Sequence, residues 1–466
     1  MEDFSLLNRI RYFDNNLDID QIPEKSFDET IKDKLFTCKQ NCFTFIIVIK
    51  NQESKNSDPL KIISSTVKIR QDISAYIGSA GYLYMYYRLY EYAKRSNQPE
   101  LKDEYFAKAV DLYDKLKPFI EQYEIQSVKQ KSMKIPTFFI GTPAYYLIGC
   151  LLFKDQAKEE QAQLGIMNCM KKILSFMVIF EEEGYRMEDE LLYGNAGYLY
   201  CLLVLKLDFS EYFSEQVDDA ITRVVADIVR AGLVEGNSFL TFSFPRGKKP
   251  YIGAAHGSIG ILYMIIKAMQ LLPDLQKMTN LKDVVIKSLD DLVSRQTKAG
   301  HFGYQMSQDP QGEAEAEYAV HFCHGAPGSI PLFVEACKTF GSKRYLEAAT
   351  LSAECTWKYG LIKKGFGLCH GICGNAILMM CLYRFTNDEI WKKRAEAFIK
   401  TTLNNEILQG MDEYEFSGFT VQGVPDHPYS LMEGQAGTIV ALADFSGWPS
   451  DTQYFEYDIK FPGFEI

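Results

Sequence analysis

A chain of 466 residues is long enough for two or three ordinary domains or for one closed repeat architecture with a large core. Apolar residues make up 47% and charged residues 24%, the proportions of a chain that folds as a globular protein. A net charge of −11 leaves no broad basic surface for a phosphate backbone, which argues against nucleic acid as a partner.

The eleven cysteines are an odd number with no close-set framework, and the opening Met1-Glu2-Asp3-Phe4 is acidic where a signal peptide is basic. Reduced thiols and a cytoplasmic location are expected. The most apolar early run, Phe43 to Ile49, falls far short of the about 20 residues a spanning helix needs, and there is no glycine placed for N-myristoylation. Peripheral membrane association stays open, because a surface patch needs no spanning segment.

Residues 1–25 are polar and irregular, with Arg9, Arg11 and Asp14-Asn15-Asn16, and read as an N-terminal arm ahead of a single domain over 26–466. From Ser26 to Lys50 the spacing of Phe27, Ile31, Leu35 and Phe36 predicts a helix, opened by a capping signal at Ser26-Phe27-Asp28-Glu29. A polar loop follows to Pro59.

A unit then recurs. Gly78-Ser79-Ala80-Gly81, Gly141-Thr142-Pro143-Ala144, Gly194-Asn195-Ala196-Gly197, Gly257-Ser258-Ile259-Gly260, Gly325-Ala326-Pro327-Gly328, Gly371-Ile372-Cys373-Gly374 and Gly434-Gln435-Ala436-Gly437 each open an apolar run. The steps between them are 63, 53, 63, 68, 46 and 63 residues, about 59 on average, the self-similarity of a repeat architecture. Amphipathic helices with a charged face are predicted between them, near 103–124, 158–180, 217–231, 282–295, 344–358 and 388–403. Helices that are apolar all round must be buried and half-charged ones must face water. Their alternation predicts an all-α fold, an α/α toroid (double-layered barrel) of seven inner and seven outer helices, with the helix at 26–50 counted as outer.

In that arrangement the glycines permit close packing where seven elements converge. All seven loops gather at one end, where helix N-termini favour anions or thiolates. Cys323, Cys369 and His370 stand just before two of these helices. Two thiolates and an imidazole suit Zn²⁺ with a fourth position left for a substrate thiol, though the 46-residue gap between the cysteines is no zinc-finger spacing. Two buried structural cysteines are the competing reading. Cys373, four residues after Cys369, is either an alternative ligand or a packing residue.

The motifs Glu190-Leu191-Leu192-Tyr193-Gly194, Gly253-Ala254-Ala255-His256-Gly257, Cys323-His324-Gly325-Ala326-Pro327-Gly328, Gly365-Phe366-Gly367-Leu368-Cys369-His370-Gly371, Ser430-Leu431-Met432-Glu433-Gly434 and Phe461-Pro462-Gly463-Phe464-Glu465 cover most of the chain. In this order they resemble the lanthionine synthetase C-like (LanC-like) family, in particular its eukaryotic branch. The resemblance implies an α/α toroid with zinc on Cys323, Cys369 and His370. It implies thiol addition to dehydroalanine or dehydrobutyrine, with glutathione as the thiol and dehydroamino-acid-containing proteins or peptides as acceptors. His256 matches the family's acid/base; on the residues alone the favoured reading is a buried histidine bonded across a helix start. Lys364 matches a lysine that contacts glutathione, and Arg11 resembles an N-terminal arginine that folds over the same site.

The chain also departs from the family. Gly423 stands where relatives carry a further cation. Glu190 and Ala319 replace an aspartate and an arginine of the bacterial cyclases, which disfavours ring formation, and Phe322 replaces a tryptophan. A glutathione-binding zinc adaptor or signalling protein with little catalysis is therefore the alternative to a zinc-dependent glutathione transferase. A third reading nominates Glu190 and Glu433 as paired acids for carbohydrate chemistry, against their ordinary role of bonding helix starts.

Overall fold

The computed structural model describes residues 72–129, 135–181, 186–307, 318–362, 364–402, 427, 429–446 and 459–466. Among them thirteen α-helices form two layers. The inner set is α1 (Ser79–Arg95), α3 (Pro143–Lys154), α5 (Asn195–Asp208), α7 (Ser258–Leu271), α9 (Ser329–Phe340), α11 (Ile372–Thr386) and α13 (Gln435–Asp444). The outer set is α2 (Pro99–Lys129), α4 (Glu160–Leu174), α6 (Ser214–Gly232), α8 (Leu281–Ser294), α10 (Lys343–Tyr359) and α12 (Glu389–Thr401). The arm at 1–25, its boundary and the outer helix expected over 26–50 lie outside the described residues.

The two sets differ as their sequences require. α7 has one charged residue, Lys267, and buries every position from Ser258 to Ile266. α6 buries a single stripe, Val217, Ala220, Ile221, Val224, Val225 and Ile228, and turns Glu215, Asp219 and Arg223 outward. The inner helices contact one another in sequence order, α1 on α3 through to α11 on α13, and α13 returns to α1. This closes the ring. The closing seam carries an ion pair, Arg88 with the almost fully buried Asp444 at 2.5 Å. Outer helices α2, α4, α6, α10 and α12 each lie against the inner helix that precedes them. The architecture is the expected all-α toroid.

One predicted outer helix is interrupted. The segment expected over 158–180 is helical only to Leu174, and a 3-10 stretch, Ser175–Glu181, follows. There the Ser175 hydroxyl donates to the Lys172 carbonyl at 2.7 Å and competes with the regular ladder.

The loops that enter the inner helices are tied in a circle by backbone hydrogen bonds. Leu191 N donates to Ala255 O (3.1 Å), Ala255 N to Cys323 O (3.5 Å), Cys323 N to Cys369 O (3.4 Å) and Cys369 N to Met432 O (2.7 Å). Met432 N then donates to Tyr76 O (3.1 Å) and Tyr76 N to Phe139 O (2.9 Å). Between the second and third repeats the Thr137 hydroxyl donates to the Leu192 carbonyl. Such close approach leaves no room for side chains at some positions: a Cβ on Gly253 would lie 2.1 Å from the Cys323 carbonyl oxygen. Gly325 has φ +107°, a backbone conformation that favours glycine, and turns the chain just after Cys323.

The closing motif supports this ring. Phe461 and Phe464 are fully buried, and Phe461 stacks on Phe322 with ring centroids 4.1 Å apart, directly beside Cys323. Arg384 holds the segment through Glu465 and the Ile459 carbonyl.

Candidate metal centre and its cavity

Seen from the ring, the candidate ligands share a register. Two residues before the first glycine of each repeat stand Tyr76, Phe139, Leu192, Ala255, Cys323, Cys369 and Met432; one residue before it stand Ile77, Ile140, Tyr193, His256, His324, His370 and Glu433. Consecutive repeats therefore place Cys323 beside Cys369, although 46 residues separate them in the chain.

The donor atoms of Cys323, Cys369 and His370 all lie within 4.8 Å of one another. Sulfurs on a tetrahedral zinc stand about 3.8 Å apart at ordinary Zn–S lengths, so the three groups need only a small inward shift to share one ion. The electrostatics fit the same purpose. Burial and then the neighbouring Cys323 push the Cys369 thiol well above its usual range, a load that a divalent cation relieves. His370 is pulled down by burial, but its hydrogen bond to Cys369 and the charge of that sulfur prevail and raise it. Cys373 is fully buried on α11 and is not in this cluster, which favours its packing reading.

Two further side chains touch the sulfurs. Tyr76, from the loop before α1, is hydrogen-bonded to Cys369; burial first, then the charges of Cys369 and Cys323, raise its pKa, so the phenol keeps its proton. His321 Nδ1 lies 3.2 Å from Cys323 Sγ. Sequence reading missed both. Tyr76 had a signal, since it holds the register of Cys323 and Cys369 in the first repeat. Behind them, burial and then His321 push His324 down to about 3, so it is neutral at ordinary pH.

His256 is fixed from two sides. Its Nδ1 lies 2.8 Å from Glu190 Oε2, and its ring stacks on Phe244 with centroids 4.5 Å apart and planes within 3°. Glu190, 2% exposed, also accepts from the backbone N–H groups of Leu192 (2.9 Å) and Tyr193 (2.5 Å). Burial raises its pKa, opposed by His256 and those donors. These bonds account for the Glu190 carboxylate and remove it as a free acid for carbohydrate work. The histidine is therefore bonded across a helix start, yet it also borders a cavity of about 510 Å³. With Nδ1 engaged, Nε2 is the nitrogen left for proton exchange.

Tyr76 and Glu433 border that cavity where it adjoins the donor cluster, and Ile77, Tyr123, Ile140, Leu192 and Tyr193 form much of its wall. Lys364 is close enough for its charge to act against protonation of both His324 and His370, which puts it near the cluster. It is not among the cavity's described lining residues. Arg11 and Gly423 lie outside the described residues.

No disulfide joins any of the nine described cysteines, and no described helix is long and apolar enough to cross a membrane. A model of the family described as lanthionine synthetase C-like protein matches residues 70–448. The chain is 29% identical to Glutathione S-transferase LANCL1 of Danio rerio over 420 residues, covering 89% of this chain and 90% of the relative. It is 31% identical to LanC-like protein GCL1 of Arabidopsis thaliana over 351 residues, covering 73% and 72% respectively. Among solved structures, nisin cyclase shares the fold with a TM-score of 0.58 at 16% identity, over 90% of this chain and 96% of that one.

Proposed function

The chain belongs to the lanthionine synthetase C-like family, and from that premise we propose that it is a zinc-dependent glutathione transferase. It adds the glutathione thiol to dehydroalanine or dehydrobutyrine residues of proteins. The observation that carries the reading is the cluster of Cys323, Cys369 and His370 donor atoms within 4.8 Å, linked through Tyr76, which bonds Cys369, to the cavity that Tyr76 and His256 both border. The name of the zebrafish relative supports glutathione as the thiol.

Cys323, Cys369 and His370 would hold Zn²⁺, which supplies an electropositive seat where a thiol ionises near neutral pH. The remaining chemistry falls to the chain. The sulfur attacks the β-carbon of the acceptor, and the double-bond electrons move onto the α-carbon and its carbonyl. His256 Nε2 delivers a proton to the α-carbon, and the thiol's own proton restores the imidazolium, so the addition balances without any other reagent. Glu190 keeps the imidazole oriented and stabilises its charged form, as a buried carboxylate does for a catalytic histidine. Lys364 supplies positive charge beside the donor cluster for a glutathione carboxylate, and Arg11 supplies a second cation from the arm.

The test is mass spectrometry of a dehydroalanine peptide incubated with glutathione and protein, alongside zinc analysis. The parent should carry one zinc per chain and form an adduct. Cys369→Ala should lose both zinc and adduct, whereas His256→Ala should keep zinc and lose turnover by about 100-fold or more. Zinc and glutathione binding without any adduct, even at saturating thiol, would replace this reading with the zinc adaptor.

A further inference from the structure

The inner ring is chemically divided. In the register just before the repeat glycines, the first three repeats carry Ile77, Ile140 and Tyr193, while the fourth to sixth carry His256, His324 and His370. The cavity of about 510 Å³ lies over the first group and reaches His256. We infer that this cavity seats the peptide around the reacting dehydroamino acid, and that it selects acceptors whose neighbouring side chain is apolar. The inference rests on the thiol-addition reading above and adds the acceptor class to it.

Three observations place the acceptor here and the thiol donor elsewhere. First, the carbon that must receive a proton adjoins the carbon that receives sulfur. The acceptor therefore has to lie between the donor cluster and His256, and the cavity spans that interval: Tyr76, which contacts Cys369, and His256 both border it. Second, no described lysine or arginine lines the cavity to pair with the two carboxylates of glutathione; Lys364 stands near His324 and His370 instead. Third, the acids on the wall each accept a backbone N–H and keep their negative charge. Asp72 Oδ1 accepts from Ser74 N at 2.8 Å and Glu433 Oε2 from His427 N at 3.3 Å. An acidic neighbour on the peptide would meet their charge, and a basic one, although drawn by it, would lose water against Ile77, Ile140 and Leu192. An apolar side chain is the one that gains from burial there.

Binding separates this inference from the catalytic reading. Peptides carrying alanine in place of dehydroalanine, with leucine, lysine or glutamate as the next residue, are titrated into zinc-loaded protein, and matching dehydroalanine peptides are assayed for adduct. The leucine peptide should bind about tenfold or more tightly than the other two. Ile140→Lys, on a partly exposed wall position, should shrink that advantage to about threefold or less and favour the glutamate peptide. Equal binding of all three by the parent overturns the inference and needs no variant. Tighter glutathione binding by Ile140→Lys also overturns it, since the cavity would then belong to the thiol donor. Adduct formation without discrimination removes the acceptor preference alone, whereas discrimination without adduct upholds the seat and removes the catalytic reading.

Discussion

At the scale of single residues, the site depends on polar partners that lie far away in sequence. His256 takes its orientation from Glu190, 66 positions earlier, through one 2.8 Å contact. Glu190→Gln removes the charge opposite the imidazole and leaves one oxygen where the Leu192 and Tyr193 amides bond one each, so one of these buried N–H groups loses its acceptor. The substitution should lower kcat for thiol addition about 100-fold at unchanged zinc content, with a melting temperature lowered by the unpaired amide. An unchanged kcat would mean that Glu190 serves only its backbone amides. Tyr76 makes the corresponding case for the metal. Its hydroxyl contacts Cys369, so Tyr76→Phe should weaken zinc about tenfold in competition with a chelator, a readout independent of turnover. The clustering of the candidate ligands was legible, because Cys323-His324-Gly325 and Cys369-His370-Gly371 repeat one pattern. Tyr76 and His321 were not, since residue type alone does not announce contact with a sulfur in another repeat. For Tyr76 only the shared register pointed there.

At the scale of elements, the helices were readable to within a few residues because burial on one face or on all faces writes different periods into the chain. The loops were less so. Phe244, which stacks on His256, belongs to the irregular stretch between α6 and α7, and no periodicity marks it. That stretch is pinned to the loop before α5 by Arg246, which bonds the Met187 carbonyl and lies 3.4 Å from Asp189. Despite Arg246 and Arg186, burial raises the Asp189 pKa to about 6, and its Oδ1 has no hydrogen-bond partner. Asp227 adds to the rise. Burial outweighs the ion pairs, because neither contact satisfies that oxygen. Between pH about 4 and 6 the folded protein holds a proton that the unfolded chain has released, so this residue's contribution to stability falls as pH rises through that window. The loss is on the order of 3 kcal/mol. Urea unfolding at pH 4.5 and 6.5 should show Asp189→Asn gaining on the parent as pH rises; a constant difference would place the Asp189 pKa near its ordinary value.

At the scale of the whole molecule, the candidate metal ligands are two links in a closed circuit. The loops of all seven repeats are bound to their neighbours, six times through a backbone amide and once through the Thr137 hydroxyl. The inner helices beneath them close through the Arg88–Asp444 pair. A cation held by Cys323, Cys369 and His370 clamps the fifth and sixth repeats, and the circuit offers a route by which that restraint reaches loops with no ligand of their own. Hydrogen exchange distinguishes a local clamp from a ring-wide one. With zinc at about 100 times its dissociation constant, amides that open only with the site should exchange about 100-fold more slowly than in chelator-treated protein. If the ring acts as a unit, the amides of Leu191, Ala255 and Met432 gain protection comparable to those of Cys323 and Cys369. If protection is confined to Cys323 and Cys369, the repeats respond separately, and the glycine-rich loops bring the ligands together without sharing their stability. The Gly253 contact favours the first outcome, because an atom only 2.1 Å from the Cys323 carbonyl oxygen would have to be accommodated by moving the fourth and fifth repeats together. Gly253→Ala should therefore weaken zinc binding as well as lower the melting temperature, although Gly253 is no ligand.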